Sequence, residues 1–137
     1  RRIIDTNLLG TIFCCQIFAP QMIKSREGSI INFSTIAVPL SLKGESVYAA
    51  SKAGVESFTR TFAREVSTFN IRVNCIAPGP VATDMIKGVP DSTIQGVVNH
   101  QIIARQFSPS SISDLVEVLL DRRSESLTGQ VLNVGGV

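Results

Sequence analysis

Apolar residues along this chain fall into two kinds of pattern, and their alternation predicts its class. Short apolar runs occur at Ser29-Ile30-Ile31-Asn32-Phe33-Ser34, at Ile71-Arg72-Val73-Asn74-Cys75-Ile76 and at residues 131–134. Runs of this length, bounded by turn residues, read as strands buried in a sheet. Between them, apolar positions recur at helical spacing. Ile4, Leu8, Thr11, Cys15, Phe18 and Met22 mark a helix over residues 1–24, ending near Lys24 to Gly28. Val47, Ala50, Gly54, Phe58, Phe62 and Val66 mark the core stripe of a second helix, with Ser46 as its N-cap and its end near Thr68. Residues 36–45 form a loop with Pro39 and Gly44, and residues 77–106 are the least regular part, with a short helix near 92–101. Ser111 or Ser113 opens a last helix to about Leu120. Strand, helix, strand in this order predicts an α/β fold with a parallel sheet and right-handed crossovers. No repeat, low-complexity tract or linker interrupts the 137 residues, which fit one domain.

The chemistry concentrates on the second helix. Tyr48 precedes Lys52 by four residues, so the two side chains share one helical face. An ammonium beside a phenol favours the phenolate and moves its pKa from about 10 toward neutrality. That is what a proton donor to a carbonyl oxygen needs. Thr35, with Ser34 before it, follows the strand at residues 29–34, where a parallel α/β sheet places its sites. Ser34 points to the opposite face of the strand, so Ser34→Ala is expected to do little. After the strand at 71–76 comes Ala77-Pro78-Gly79-Pro80-Val81-Ala82-Thr83, a loop of fixed and permissive backbone suited to close ligand approach. The chain closes with Leu127-Thr128-Gly129-Gln130-Val131-Leu132-Asn133-Val134-Gly135-Gly136.

In their order and spacing, from about Asn7 to the last residue, these motifs resemble the C-terminal half of a short-chain dehydrogenase/reductase, nearest the 3-oxoacyl-(acyl-carrier-protein) reductase branch. The resemblance implies part of a Rossmann-like doubly wound parallel sheet and an NAD(P)-dependent oxidoreductase acting on a carbonyl/alcohol pair. It implies Tyr48 as general acid/base, Lys52 as its tuning partner and ribose ligand, Thr35 as the group polarising the substrate oxygen, and Asn7 as the holder of a water that extends the proton relay. Thr35 departs from the serine usual in the family, and its methyl stiffens χ1. Pro78, Gly79, Val81 and Thr83 correspond to the loop that meets the nicotinamide end of NAD or NADP. An acyl-carrier-protein thioester is one substrate class. The apolar positions left over on the two long helices (Phe13, Val55, Phe69) correspond to a four-helix interface of a homodimer or homotetramer.

No G-x-x-x-G-x-G pattern for the cofactor pyrophosphate occurs, nor an Asn-Asn-Ala-Gly strand end, so the sequence reads as a single partial domain over 1–137 whose N-terminal half lies elsewhere. Composition narrows the remaining classes. With 44% apolar and 18% charged residues and a net charge of +2, the chain reads as a globular cytoplasmic protein that does not bind nucleic acid. The apolar stretch from Leu8 to Pro20 is too short to cross a bilayer. Cys14, Cys15 and Cys75 lack metal-ligand spacing and read as reduced apolar fillers, so no metal is expected, and His100 stands without a partner motif. Two other readings share the scaffold. One is an assembly module with impaired catalysis, and the other is a non-redox dehydratase or epimerase.

Overall fold

A computed structural model describes residues 1–137 as three parallel strands between two helical layers. Strand β2 (Ile71–Ala77) lies in the middle, flanked by β1 (Gly28–Phe33) and β3 (Val131–Asn133). Gly28 stands opposite Ile71 and Phe33 opposite Ile76, while Cys75 to Ala77 stand opposite Val131 to Asn133. Strand residues alternate between faces, so β2 turns Ile71, Val73, Cys75 and Ala77 to one side and Arg72, Asn74 and Ile76 to the other. On one face Ile71 and Val73 pack with Ala63 and Val66, under α1 (Arg2–Ser25) and α3 (Ser46–Val66). On the other, Ile76 packs with Leu119 of α5 (Pro109–Leu120) and with Val134. The short helices α2 (Ala37–Leu40) and α4 (Asp91–Val98) lie in the loops after β1 and β2.

Asn74 sits fully buried in the central strand. Its Nδ2 donates to the Leu127 carbonyl at 2.8 Å, and its Oδ1 accepts from the Gln130 N–H at 3.1 Å. A buried amide is tolerated when both ends are paired. Here the pairing fixes the segment that leads into β3.

Several element boundaries and faces differ from the sequence expectation, each for a local reason. Glu45, not Ser46, stands at the N-cap of α3, without a side-chain cap bond. Helix α5 starts at Pro109, ahead of Ser111 and Ser113, because proline suits a first helical position and the Ser108 hydroxyl accepts from the Ser111 N–H at 3.2 Å. The inward stripe of α3 is Ser51, Val55, Thr59, Ala63 and Val66; Val47 and Ala50 of the expected stripe are exposed. Small hydroxyl residues take the inner side because hydrogen bonds satisfy them there. The Asn32 Nδ2 donates to the Thr59 hydroxyl at 2.9 Å. Phe18, expected inside, is exposed, as are Phe13 and Ile17. Helix α1 runs unbroken past the apolar stretch read from sequence, so by length and composition alone it could cross a membrane. In this fold it packs on α3 and β1 and buries Cys15 and Ala19.

Candidate active site

The carboxyl ends of parallel strands bring together the loops that follow them, and ligands of open α/β sheets bind there. Tyr48 and Lys52 arrive from the first two turns of α3, which packs across β1 and β2. The Lys52 Nζ donates to the carbonyl of Phe33, the last residue of β1, at 3.0 Å. Two residues further on, the Thr35 Oγ1 accepts from the Ala37 N–H at 3.2 Å. That bond occupies a lone pair and leaves the Thr35 hydroxyl proton free to donate elsewhere.

Burial pushes the Tyr48 phenol above its ordinary pKa. The neighbouring Thr35 hydroxyl pulls it down, and Glu45 pushes it up. Lys52 does not enter this balance, contrary to the expected lysine effect. Burial lowers the Lys52 pKa, with Cys75 opposing. Both groups are therefore biased toward their neutral forms, which suits a phenol that holds its proton until an acceptor arrives.

Ser34 turns inward, as strand alternation requires. It is buried, and its hydroxyl donates to the Glu56 Oε1 at 2.7 Å. Glu56 is itself buried and pairs with Arg60 across 3.3 Å. Ser34→Ala therefore leaves a buried carboxylate oxygen short of a partner, a cost to stability in addition to the small effect expected on the chemistry.

Asn7 reaches α3 by another route. Residues Asp5–Leu9 form a π-helical turn within α1, a local widening that recurs at functional sites. The Asn7 Nδ2 donates to the Ser51 hydroxyl at 3.1 Å, and Ser51 donates to the Tyr48 carbonyl at 2.7 Å. The Asn7 carbonyl accepts from the Thr11 hydroxyl at 2.8 Å. Asn7 is thus joined to the backbone of Tyr48 through Ser51, and no direct hydrogen bond ties it to Lys52.

The loop after β2 folds back onto the same strand ends. The Pro78 carbonyl accepts from the Ile36 N–H at 3.0 Å, one residue from Thr35. Val81 forms an isolated bridge with Phe107, and Gly79 packs against Ile36. Thr83 is exposed at the N-cap of a short 3₁₀ turn and makes no side-chain cap bond. It lines an open cleft with Ile86, Lys87, Ile94 and Gln106. The structure therefore gathers Tyr48, Lys52 and Thr35, attaches Asn7 through Ser51, ties Pro78 to Ile36 beside Thr35, and leaves Thr83 exposed in a separate open cleft. His100 lies exposed, its Nδ1 2.7 Å from the Gly96 carbonyl on its own helix end. No group of three or more His, Cys, Asp or Glu side chains is placed to hold a metal.

Sequence reasoning passed over Ser51 and Glu56. Glu56 follows Lys52 by one helical turn, and a carboxylate on that face was the available signal. Ser51 carried none.

A parallel sheet with tyrosine, lysine and a strand-end hydroxyl at its carboxyl edge agrees with the resemblance to short-chain dehydrogenases/reductases. The chain belongs to that class, and within it to the family described as enoyl-(acyl carrier protein) reductase, which matches residues 1–136. It is 41% identical over 136 residues to the 3-oxoacyl-(acyl-carrier-protein) reductase of Chlamydia muridarum, covering 98% of this chain and 54% of that protein. The protein of the same description from Thermotoga maritima is 36% identical over 134 residues, again covering 98% and 54%. Among solved structures, a 3-oxoacyl-(acyl-carrier protein) reductase with bound NAD from Brucella melitensis superposes with a TM-score of 0.86 at 33% identity, over all of this chain and 51% of that one. The chain spans about half the length of the curated relatives it matches.

Proposed function

We propose that residues 1–137 form the catalytic part of a single larger domain, an NAD(P)-dependent oxidoreductase that interconverts a carbonyl and an alcohol. The observation that carries this is the meeting of Tyr48 and Thr35 at the end of β1, with Lys52 anchored on the Phe33 carbonyl behind them. Two hydroxyl donors beside one another suit a single oxygen acceptor. Thr35, with its oxygen already held by the Ala37 amide, donates to the substrate oxygen and orients it. Tyr48 delivers a proton to that oxygen as it becomes an alkoxide, and takes it back in the reverse direction.

The residues present fit a nicotinamide cofactor. Lys52 would supply an ammonium for a ribose hydroxyl, and the backbone of Pro78, Gly79 and Val81 and the exposed Thr83 hydroxyl would meet the nicotinamide end. When bound, NAD or NADP supplies or accepts the hydride. Asn7 and Ser51 hold the first turns of α3 against α1, which keeps the phenol and the amine in fixed relation.

The relatives point to a 3-oxoacyl thioester on an acyl carrier protein as substrate, whereas the family description names an enoyl thioester. We favour the 3-oxo substrate, because two adjacent hydroxyl donors suit a carbonyl oxygen that becomes an alcohol. The test is Tyr48→Phe in the full-length protein, which keeps the ring and removes the proton donor. Reduction of a 3-oxoacyl thioester is expected to fall by the roughly 10²–10⁴-fold typical of general acid/base loss. Cofactor affinity, measured by titration calorimetry, is expected to hold. Wild-type turnover in Tyr48→Phe would overturn the assignment of this site.

A further inference from the structure

Gln101 is 4% exposed, and its carboxamide sits where three loops meet. Its Nε2 donates to the carbonyls of Ile103 at 3.2 Å and Arg105 at 3.0 Å, which settles which end of the amide is nitrogen. Its Oε1 is the buried side-chain polar atom without a partner. An unpaired buried acceptor is costly, so its retention calls for a reason.

The surroundings of that oxygen supply one. Glycines from two different strand ends make room for the side chain. A Cβ at Gly79, after β2, would run into the Gln101 Oε1. A Cβ at Gly135, after β3, would lie 2.6 Å from the Gln101 Nε2, at a backbone φ of +83°. The segment beyond Gln101 is tied to the same places. The Ile102 and Ile103 amides donate to the carbonyls of Gly136 at 3.2 Å and Gly135 at 2.8 Å, and Phe107 bridges to Val81. Between Ala77 and Val81, Pro78 and Pro80 have no N–H, so Gly79 is the sole backbone donor in that stretch. It is also the residue against which the Oε1 lies.

We propose that Gln101 is a positioning residue whose carboxamide, packed on Gly79 and bonded to the Ile103 and Arg105 carbonyls, couples the cofactor-facing loop to the segment 101–107, so that seating the nicotinamide end orders both together. The inference rests on the cofactor reading above and adds to it a coupling between two loops. Gln101 touches neither hydride nor oxygen. It acts by holding Gly79 and Val81 at the height the carboxamide end of the cofactor requires, and it carries the same displacement to Ile103 and Arg105.

The test uses the full-length protein, NAD and NADP as probes, and Gln101→Met, which keeps the length and removes the amide. In the wild type, cofactor is expected to slow hydrogen exchange in residues 79–83 and 102–107 together. In Gln101→Met the cofactor Kd by calorimetry is expected to rise at least about tenfold, and protection of 102–107 on binding is expected to vanish. The ligand-free melting temperature should stay within a few degrees, because an orphaned acceptor has been removed as well as two bonds. If Gln101→Met does not fold, Gln101→Asn, one methylene shorter, is read in the same way. A variant with wild-type Kd and coupled protection would overturn the clamp, as would a wild type that binds cofactor and protects only one segment. A wild type that binds neither cofactor overturns the oxidoreductase reading itself, and the clamp with it.

Discussion

Ser34 and Thr35 are adjacent hydroxyls with opposite surroundings, and that contrast governs what each substitution does. Thr35 stands beside the Tyr48 phenol, with its oxygen on the Ala37 amide. Thr35→Ser keeps the donor and frees χ1, so kcat/KM is expected to be unchanged or higher. Thr35→Ala removes a bond to an oxygen that gains charge, and kcat/KM is expected to fall by an amount equivalent to about 1.5–3 kcal/mol. Ser34→Ala acts on stability instead. It strands the buried Glu56 Oε1, now 2.7 Å from the Ser34 hydroxyl, and urea unfolding is expected to show a loss of about 1–3 kcal/mol with kcat less affected. The inward turn of Ser34 was legible, because strand period fixes it, but its partner was not. Glu56 lies 22 residues away in sequence, and nothing in a lone carboxylate announces a strand hydroxyl as its mate. Gln101 was illegible as well, since its partners are the backbone carbonyls of Ile103 and Arg105, and a loop glutamine does not announce such bonds.

At the scale of elements, hydrophobic period located every strand and long helix but misjudged which side of α3 faces inward. Period counts apolar residues, whereas this helix buries Ser51 and Thr59 through hydrogen bonds and presents Val47 to solvent. The same economy of polar groups makes Asn74 a sensitive point in β2. Asn74→Leu removes the partners of the Leu127 carbonyl and the Gln130 N–H, so urea unfolding is expected to show a loss of at least about 2 kcal/mol with an unchanged m-value. Buried thiols add a pH dependence. Burial, with the nearby Cys14, raises Cys15 to about 11. Burial, with Glu56 next, raises Cys75 to about 12 against the opposing pull of Lys52, Ser34 and Thr59. Because both folded values lie above the unfolded value of 9.0, the folded state holds these protons more tightly than the unfolded one. Stability from this source is complete below pH 9 and is lost as pH rises through about 11 and 12. The urea midpoint of the wild type, measured against Cys75→Ala, is expected to keep its difference up to pH 9 and to lose it above. A difference that persists to pH 12 would contradict the placement of Cys75.

At the scale of the whole molecule, what remains unsatisfied is informative. Strand β1 has a neighbour on one side only, and Phe33 at its end is 42% exposed. Helix α1 shows Phe13, Cys14, Ile17 and Phe18 to solvent along one side, with Ile17 at 70% exposure, and α3 adds Val47. The sequence made the fold class legible and flagged Phe13 for an interface, but placed Phe18 in the core, because helical period alone does not say which of two apolar faces meets the sheet. An apolar stripe of this kind, beside an open strand edge, favours association. Residues 1–137 alone are therefore expected to self-associate through both features. If, as proposed, these residues belong to a larger domain whose further strands would cover β1, the full-length protein is expected to keep only the helical stripe and to form a symmetric dimer or tetramer, the same patch meeting itself. Ile17→Lys puts a charge in the middle of that patch and leaves the buried Cys15 and Ala19 side of α1 untouched. Light scattering of the full-length variant is expected to show a smaller species with unchanged far-ultraviolet circular dichroism. Cys14 gives an independent reading: its thiol is expected to resist labelling in the wild-type assembly and to react once Ile17→Lys has opened it. A monomeric wild type at micromolar concentration, with Cys14 freely labelled, would remove the stripe from any role in assembly and leave β1 as the surface to explain.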